Sequence, residues 1–218
     1  MLHVGCAGFP VPATRYLKEF LLEEVADTLL GVPGPALLRR WRREAPTGFV
    51  FTAVAPREIG PENFKPSAAA EGAWDAFLPV VRELDARAVV VTSSADTAWS
   101  KSLRQASRQW FEKLPLDRLP PLVWDPSPLW ALKDCEAAVK DLPVVVARDP
   151  LKHPPTGRCA RAYYRLPGPA GHKSRYEDPA LEQVAQNVRA SQAQELFVVF
   201  TNVDMYADAR RLRKLLET

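Results

Sequence analysis

The chain has 218 residues, 47% of them hydrophobic, and a formal net charge of +3. That is apolar material enough for one large domain or two small ones, and too little charge to argue by itself for a nucleic-acid partner. Three cysteines, Cys6, Cys135 and Cys159, show no Cys-x-x-Cys spacing, which argues against a disulfide framework and a structural zinc site and fits a reducing, cytoplasmic setting.

Met1 to Pro10 lacks the basic-then-apolar pattern of a signal segment, and no apolar run is long enough to span a bilayer. Leu2 to Gly8 reads as a first strand and Ala13 to Leu21 as a short helix. Glu23 to Leu30 reads as a second strand. Gly34-Pro35 opens a helix with Leu37, Leu38, Trp41 and Ala45 on one face and Arg39, Arg40, Arg42 and Arg43 over the rest. Phe49 to Ala55 is a third strand and Ala68 to Leu84 a helix. Ala88 to Val91 is a fourth strand, followed by a helix over Lys101 to Leu114. Pro121 to Trp124 is a fifth strand. Ser127-Pro128 caps a helix running to about Leu142, and Pro143 to Ala147 is a sixth strand. Residues 150 to 160 hold three prolines and Gly157, which excludes a helix there. Ala162 to Leu166 is a seventh strand. Asp178-Pro179 opens a helix as N-cap and first position. Leu196 to Phe200 is an eighth strand, and Asp204 starts the last helix.

Eight strands alternate with helices, except between the sixth and the seventh. Runs such as Val89-Val90-Val91 read as strands covered on both faces, the mark of a parallel sheet. The expectation is an α/β, TIM-barrel-like (β/α)8 fold in a single domain over residues 1–218, with one helix missing between strands 6 and 7; an open doubly wound sheet is the rival.

With the elements placed, the chain resembles a known family. Leu2-His-Val-Gly-Cys-Ala-Gly-Phe9 is similar to its V-G-T-S-G-W/F strand, and Glu24 to Pro33 to its V-E-x-x-x-T-F-Y-x-x-P segment. Trp41 with Pro46, Gly48, Phe49 and Phe51 resembles W…P-x-G-F-x-F. Tyr164-Arg165-Leu166 with Gly168 resembles R-L-H-G, and Phe200-Thr201-Asn202 resembles F-N-N. The family is domain of unknown function 72, the YecE-like proteins. The resemblance implies a TIM-barrel-like fold and no particular reaction. It carries over Glu24, Thr28, Arg165 and Asn202. Two segments depart from it. Ala26, Leu29 and Leu30 replace polar and aromatic residues, and Leu122 to Pro128 lacks the Glu, Arg and Trp of E-x-R-x-x-S-W.

Barrel chemistry sits where strands end at the C-terminal face. The strand ends here offer Arg57, Glu58, Ser93, Ser94, Asp125, Asp149, Arg165 and Asn202; capping of the following turns is the competing role for each. Glu24, Asp125 and Asn202 are the catalytic candidates. The loop Gly168 to Tyr176 concentrates glycine and positive charge after strand 7, where barrels often hold phosphate. Arg165, Lys173, Arg175, Tyr176 and Asn202 are therefore the candidate ligand-binding residues, for a small anionic or phosphorylated compound. No cofactor is implied. With His172 the lone histidine near that face, a histidine metal cluster is not expected, although carboxylates could hold Mg²⁺. The alternative is a non-catalytic interaction or nucleic-acid-associated protein that has lost the family site, with the arginine face of the second helix as its surface. The sequence is silent on oligomeric state.

Overall fold

The structure, a computed structural model, describes residues 1–217. Eight strands alternate with helices in the order β1 (Leu2–Ala7), α1 (Ala13–Tyr16), β2 (Leu22–Val25), α2 (Pro35–Glu44), β3 (Val50–Val54), α3 (Ala68–Glu83), β4 (Val89–Thr92), α4 (Lys101–Lys113), β5 (Leu122–Asp125), α5 (Leu132–Ala138), β6 (Val144–Val146), β7 (Cys159–Leu166), α6 (Asp178–Ala190), β8 (Ala193–Phe200) and α7 (Met205–Glu217). The strands form one sheet ordered β6-β5-β4-β3-β2-β1-β8-β7. The pairing is parallel, and just past β6 Arg148 makes a further parallel bridge to Tyr164 of β7. Each strand except β6 lies beside its successor in sequence, β1 lies beside β8, and the two ends of the order meet only through that bridge. This is the TIM-barrel (β/α)8 arrangement, and β6 runs to β7 with no helix between, as expected.

Four boundaries differ from the sequence reading, each for a local reason. Helix α1 stops at Tyr16, whose buried hydroxyl accepts from the Cys6 amide and donates to the Leu22 carbonyl, both at 2.7 Å. Strand β2 stops at Val25, because Thr28 turns its hydroxyl back onto the Val25 and Val54 carbonyls and Asp27–Leu29 winds into a 3₁₀ turn. Leu30, read as strand, is 92% exposed. Ser127 does not cap α5. Its hydroxyl binds the Ala95 carbonyl and the Leu129 amide, and the helix begins only at Leu132. Asp178 is the first residue of α6 rather than its cap, and its carboxylate pairs with Arg211.

Residue contacts gather into two compact units. The first comprises Met1–Glu24, Pro46–Val50 and the chain from Ala147 onward. Strand alternation sorts its side chains. Ala162, Tyr164 and Leu166 of β7 and Leu196, Val198 and Phe200 of β8 share one face, all buried. Helices α6 and α7 supply Leu181, Val184, Val188, Ala209 and Leu212 to this core. The opposite face carries Arg161, Tyr163 and Arg165, beside Glu195, Phe197 and Val199.

The second unit comprises Val25–Ala45 and Phe51–Val146. The valines of β4, Val89, Val90 and Val91, are fully buried, whereas those of β6 are half-buried. Trp124 of β5 meets Phe64, Phe111 and Trp130 in an aromatic cluster. Ser67 and Ser100 cap α3 and α4, their hydroxyls accepting from Ala70 and Leu103 amides at 3.0 and 3.1 Å. The arginines of α2 are largely tied down. Arg39 pairs with Glu83, Arg40 with Glu44, and Arg42 lies over the Phe51 ring.

Candidate functional site

The polar face of β7 rises in layers. Near the start of the strand, Arg161 binds the buried Glu195 at 2.8 Å, and His3 lies 3.5 Å from the same carboxylate. Above them Tyr163 stacks on Phe197, with ring centres 5.3 Å apart. At the C-terminal end Glu24 of β2 accepts from the Tyr163 hydroxyl at 2.8 Å and from Arg165 Nη2 at 2.7 Å. Glu24 is fully buried and the Arg165 side chain is 13% exposed. An ion pair this deep is costly to desolvate, and adds stability only when its remaining valences are satisfied. Here each carboxylate oxygen receives a donor. Two sequence candidates from positions 141 residues apart are thus brought together.

The loop after β7 is held at many points. Gly168, at φ 98°, occupies the left-handed region that glycine tolerates, and its amide donates to the Tyr176 hydroxyl at 2.9 Å. Ser174 caps the turn through the Ala170 amide and the Gly171 carbonyl. Asn202 Nδ2 donates to the Ser174 carbonyl and to Asp208, both at 2.9 Å. Asp208 also accepts from the Tyr176 amide and from Arg211.

These contacts show where two of the candidates sit. Tyr176 and Asn202, read as ligand contacts, are fully buried and hold the loop in place from beneath. Burial pushes the Tyr176 hydroxyl well above its ordinary value, so it stays a neutral hydrogen-bonding group. Lys173 and Arg175 are exposed on the same loop, Arg175 beside Glu177 at 3.3 Å. Asp125 ends β5 in the other compact unit. Asp149, another strand-end carboxylate, does the bland job of closing a turn by accepting from the Leu151 amide and pairing with Lys152.

Sequence reasoning passed over Tyr163 and gave His172 no role. Tyr163 lies two residues before Arg165, and the period of two in a strand was the available signal that they share a face. His172 Nδ1 lies 2.7 Å from the Thr201 carbonyl, and its own carbonyl accepts from the Val203 amide. A carbonyl only accepts, so Nδ1 carries a proton. Among the described residues no group of three or more His, Cys, Asp or Glu side chains is arranged to hold a metal ion. No helix among them is long and apolar enough to cross a membrane.

The fold places the chain among TIM barrels. Its backbone superposes on a DUF72 family protein from Thermotoga maritima with a TM-score of 0.75, at 16% identity over the whole of both chains. A DUF72 family protein from Enterococcus faecalis gives 0.73 at 18% identity, covering 100% of this chain and 98% of that one. A D-psicose 3-epimerase from Clostridium cellulolyticum, crystallised with D-tagatose, gives 0.64 at 10% identity over 99% and 98% of the two chains. No family model and no curated protein matches the sequence.

Proposed function

We propose that the protein is a divergent member of the DUF72 family, a single-domain cytoplasmic barrel that binds a small anionic or phosphorylated molecule beyond the C-terminal end of β7. The observation that carries this reading is the setting of Arg165. One edge of its guanidinium is anchored by a buried carboxylate at 2.7 Å, the side chain remains 13% exposed at the strand end, and a pinned loop bearing Lys173 follows directly. An arginine held this way has little orientation left to lose when it meets an anion, and its planar fork suits a carboxylate or phosphate. The three free thiols suit a reducing compartment.

Thermal denaturation with inorganic phosphate and a panel of phosphorylated metabolites tests the reading. A ligand at a hundred times its Kd stabilises the native state by about 2.7 kcal/mol. The expected result is a rise in Tm for the wild type that is lost in Arg165→Gln and reduced in Lys173→Ala. No shift with any member of the panel would sink the proposal.

A second reading, a non-catalytic scaffold, draws on one observation: both Glu24 oxygens are occupied by the chain's own donors and Asn202 is fully buried. It predicts that flat response. The nucleic-acid version of that alternative has lost its main support, since three of the four arginines in α2 are engaged within their own unit.

A further inference from the structure

A second candidate site lies within the second unit. Helices α3 and α4 enclose a cavity of about 220 Å³ between them. Its origin is a pair of alanines: Ala70 on α3 and Ala106 on α4 both line it, where larger residues would close the gap. Its walls are aromatic. Trp74 and Trp110 meet edge to face with centres 5.3 Å apart, and Phe64 lies 5.7 Å from Trp110. Both indoles are only half-buried, whereas Phe77 and Phe111 on the same helices are fully buried. Phe64 reaches this position from a turn in which it and Asn63 both have positive φ, 57° and 60°. Left-handed backbone is costly for a bulky residue and persists where surrounding contacts impose it. The lining carries three charges, Lys65, Lys113 and Glu71, a balance of one positive.

We infer that this cavity binds a small planar ring compound bearing one negative charge, the ring against Trp74, Trp110 and Phe64 and the charge toward Lys65 and Lys113. The volume fits one or two fused rings; an engineered cavity of about 150 Å³ takes up benzene. An apolar pocket with a few polar groups at its mouth is the usual form of a small-molecule site. Aromatic walls favour a flat ring through stacked and edge contacts, and the excess positive charge selects an anion over a cation. This site is independent of the one proposed at Arg165.

Isothermal titration calorimetry of the 218-residue chain with naphthalene-1-sulfonate tests it, with 1-naphthalenemethanol as the uncharged counterpart. Saturable binding of one sulfonate per chain is expected, with the alcohol roughly fivefold weaker. Ala106→Trp, which fills the cavity, should abolish both. The double variant Lys65→Glu, Lys113→Glu should weaken the sulfonate roughly fivefold and leave the alcohol unchanged. These lysines are exposed, so that variant carries the test if Ala106→Trp fails to fold. Absence of saturable heat overturns the inference. So does binding that persists in a folded Ala106→Trp protein, or sulfonate binding indifferent to the lysine reversals.

Discussion

The pair Glu24–Arg165 is the residue on which the first unit's chemistry and its stability meet. Removing one partner of a buried pair leaves an uncompensated charge, at a cost of about 3 to 5 kcal/mol. Glu24→Ala should therefore lower unfolding free energy by about 3 kcal/mol, while Tyr163→Phe, which removes one neutral donor to the same carboxylate, should cost about 1.5 kcal/mol. The two acidic-site changes share a partner and will not add. Arg165→Met in a Glu24→Gln background should cost less than in the wild type, since the charge that made its loss expensive is gone. Urea denaturation of the four proteins measures that coupling. Strict additivity would mean that the 2.7 Å contact carries no net interaction, and that Arg165 is available to a ligand for some other reason.

At the scale of elements, Asp208 on α7 is the fastening of the β7–α6 loop. Its carboxylate receives the Tyr176 amide at 3.1 Å, Asn202 Nδ2 at 2.9 Å and Arg211 at 2.9 Å. Asp208→Ala leaves two buried donors without that acceptor, each worth about 1 to 3 kcal/mol. The expected outcome is a lower urea midpoint together with faster hydrogen exchange at the amides of residues 168–176. If the midpoint falls while exchange in the loop stays slow, the loop is held by its own turn bonds, and Lys173 owes its position to Ser174 and Gly168 alone. The strand order and the missing helix between β6 and β7 were legible in the sequence, because buried parallel strands read as apolar runs and the prolines at 150 to 160 forbid a helix. The ends of α1, β2 and α5 were not legible. Each is set by one hydroxyl, on Tyr16, Thr28 or Ser127, finding a carbonyl distant in the chain or one belonging to another element. The site was half legible for a related reason. Motif resemblance picked out Glu24, Arg165 and Asn202, but whether a side chain faces a ligand or fastens a loop depends on its exposure. Asn202 is fully buried with its amide on Asp208, six residues on, a partner that no motif shows.

Across the whole molecule two buried thiols and two buried phenols are shifted in the same direction, and this sets how the fold responds to alkali. Burial pushes the Cys6 thiol from 9.0 up to about 12, against a smaller lowering by its bond to Tyr16. Burial likewise pushes Cys135 from 9.0 to about 12, and raises the Tyr16 and Tyr176 hydroxyls well above their ordinary range. For each group the native state keeps its proton at a pH where the unfolded chain has lost it. The unfolded state then binds fewer protons, so stability falls as pH rises, by at most about 1.4 kcal/mol per pH unit for each group. The contribution of the thiols is complete below about pH 9 and is lost progressively between 9.0 and about 12. Urea midpoints should be level from pH 7 to 8.5 and decline steeply above 9. In Cys6→Ala the whole curve should start lower, from the cavity left behind, but fall less steeply. An equal slope in that variant would show that Cys6 does not hold its proton in the fold. The same burial predicts that a disulfide reagent at pH 8 modifies the half-buried Cys159 in the native protein and reaches Cys6 and Cys135 only on unfolding. Rapid native modification of all three would mean that the helices over β1 and β5 open far more readily than their packing implies.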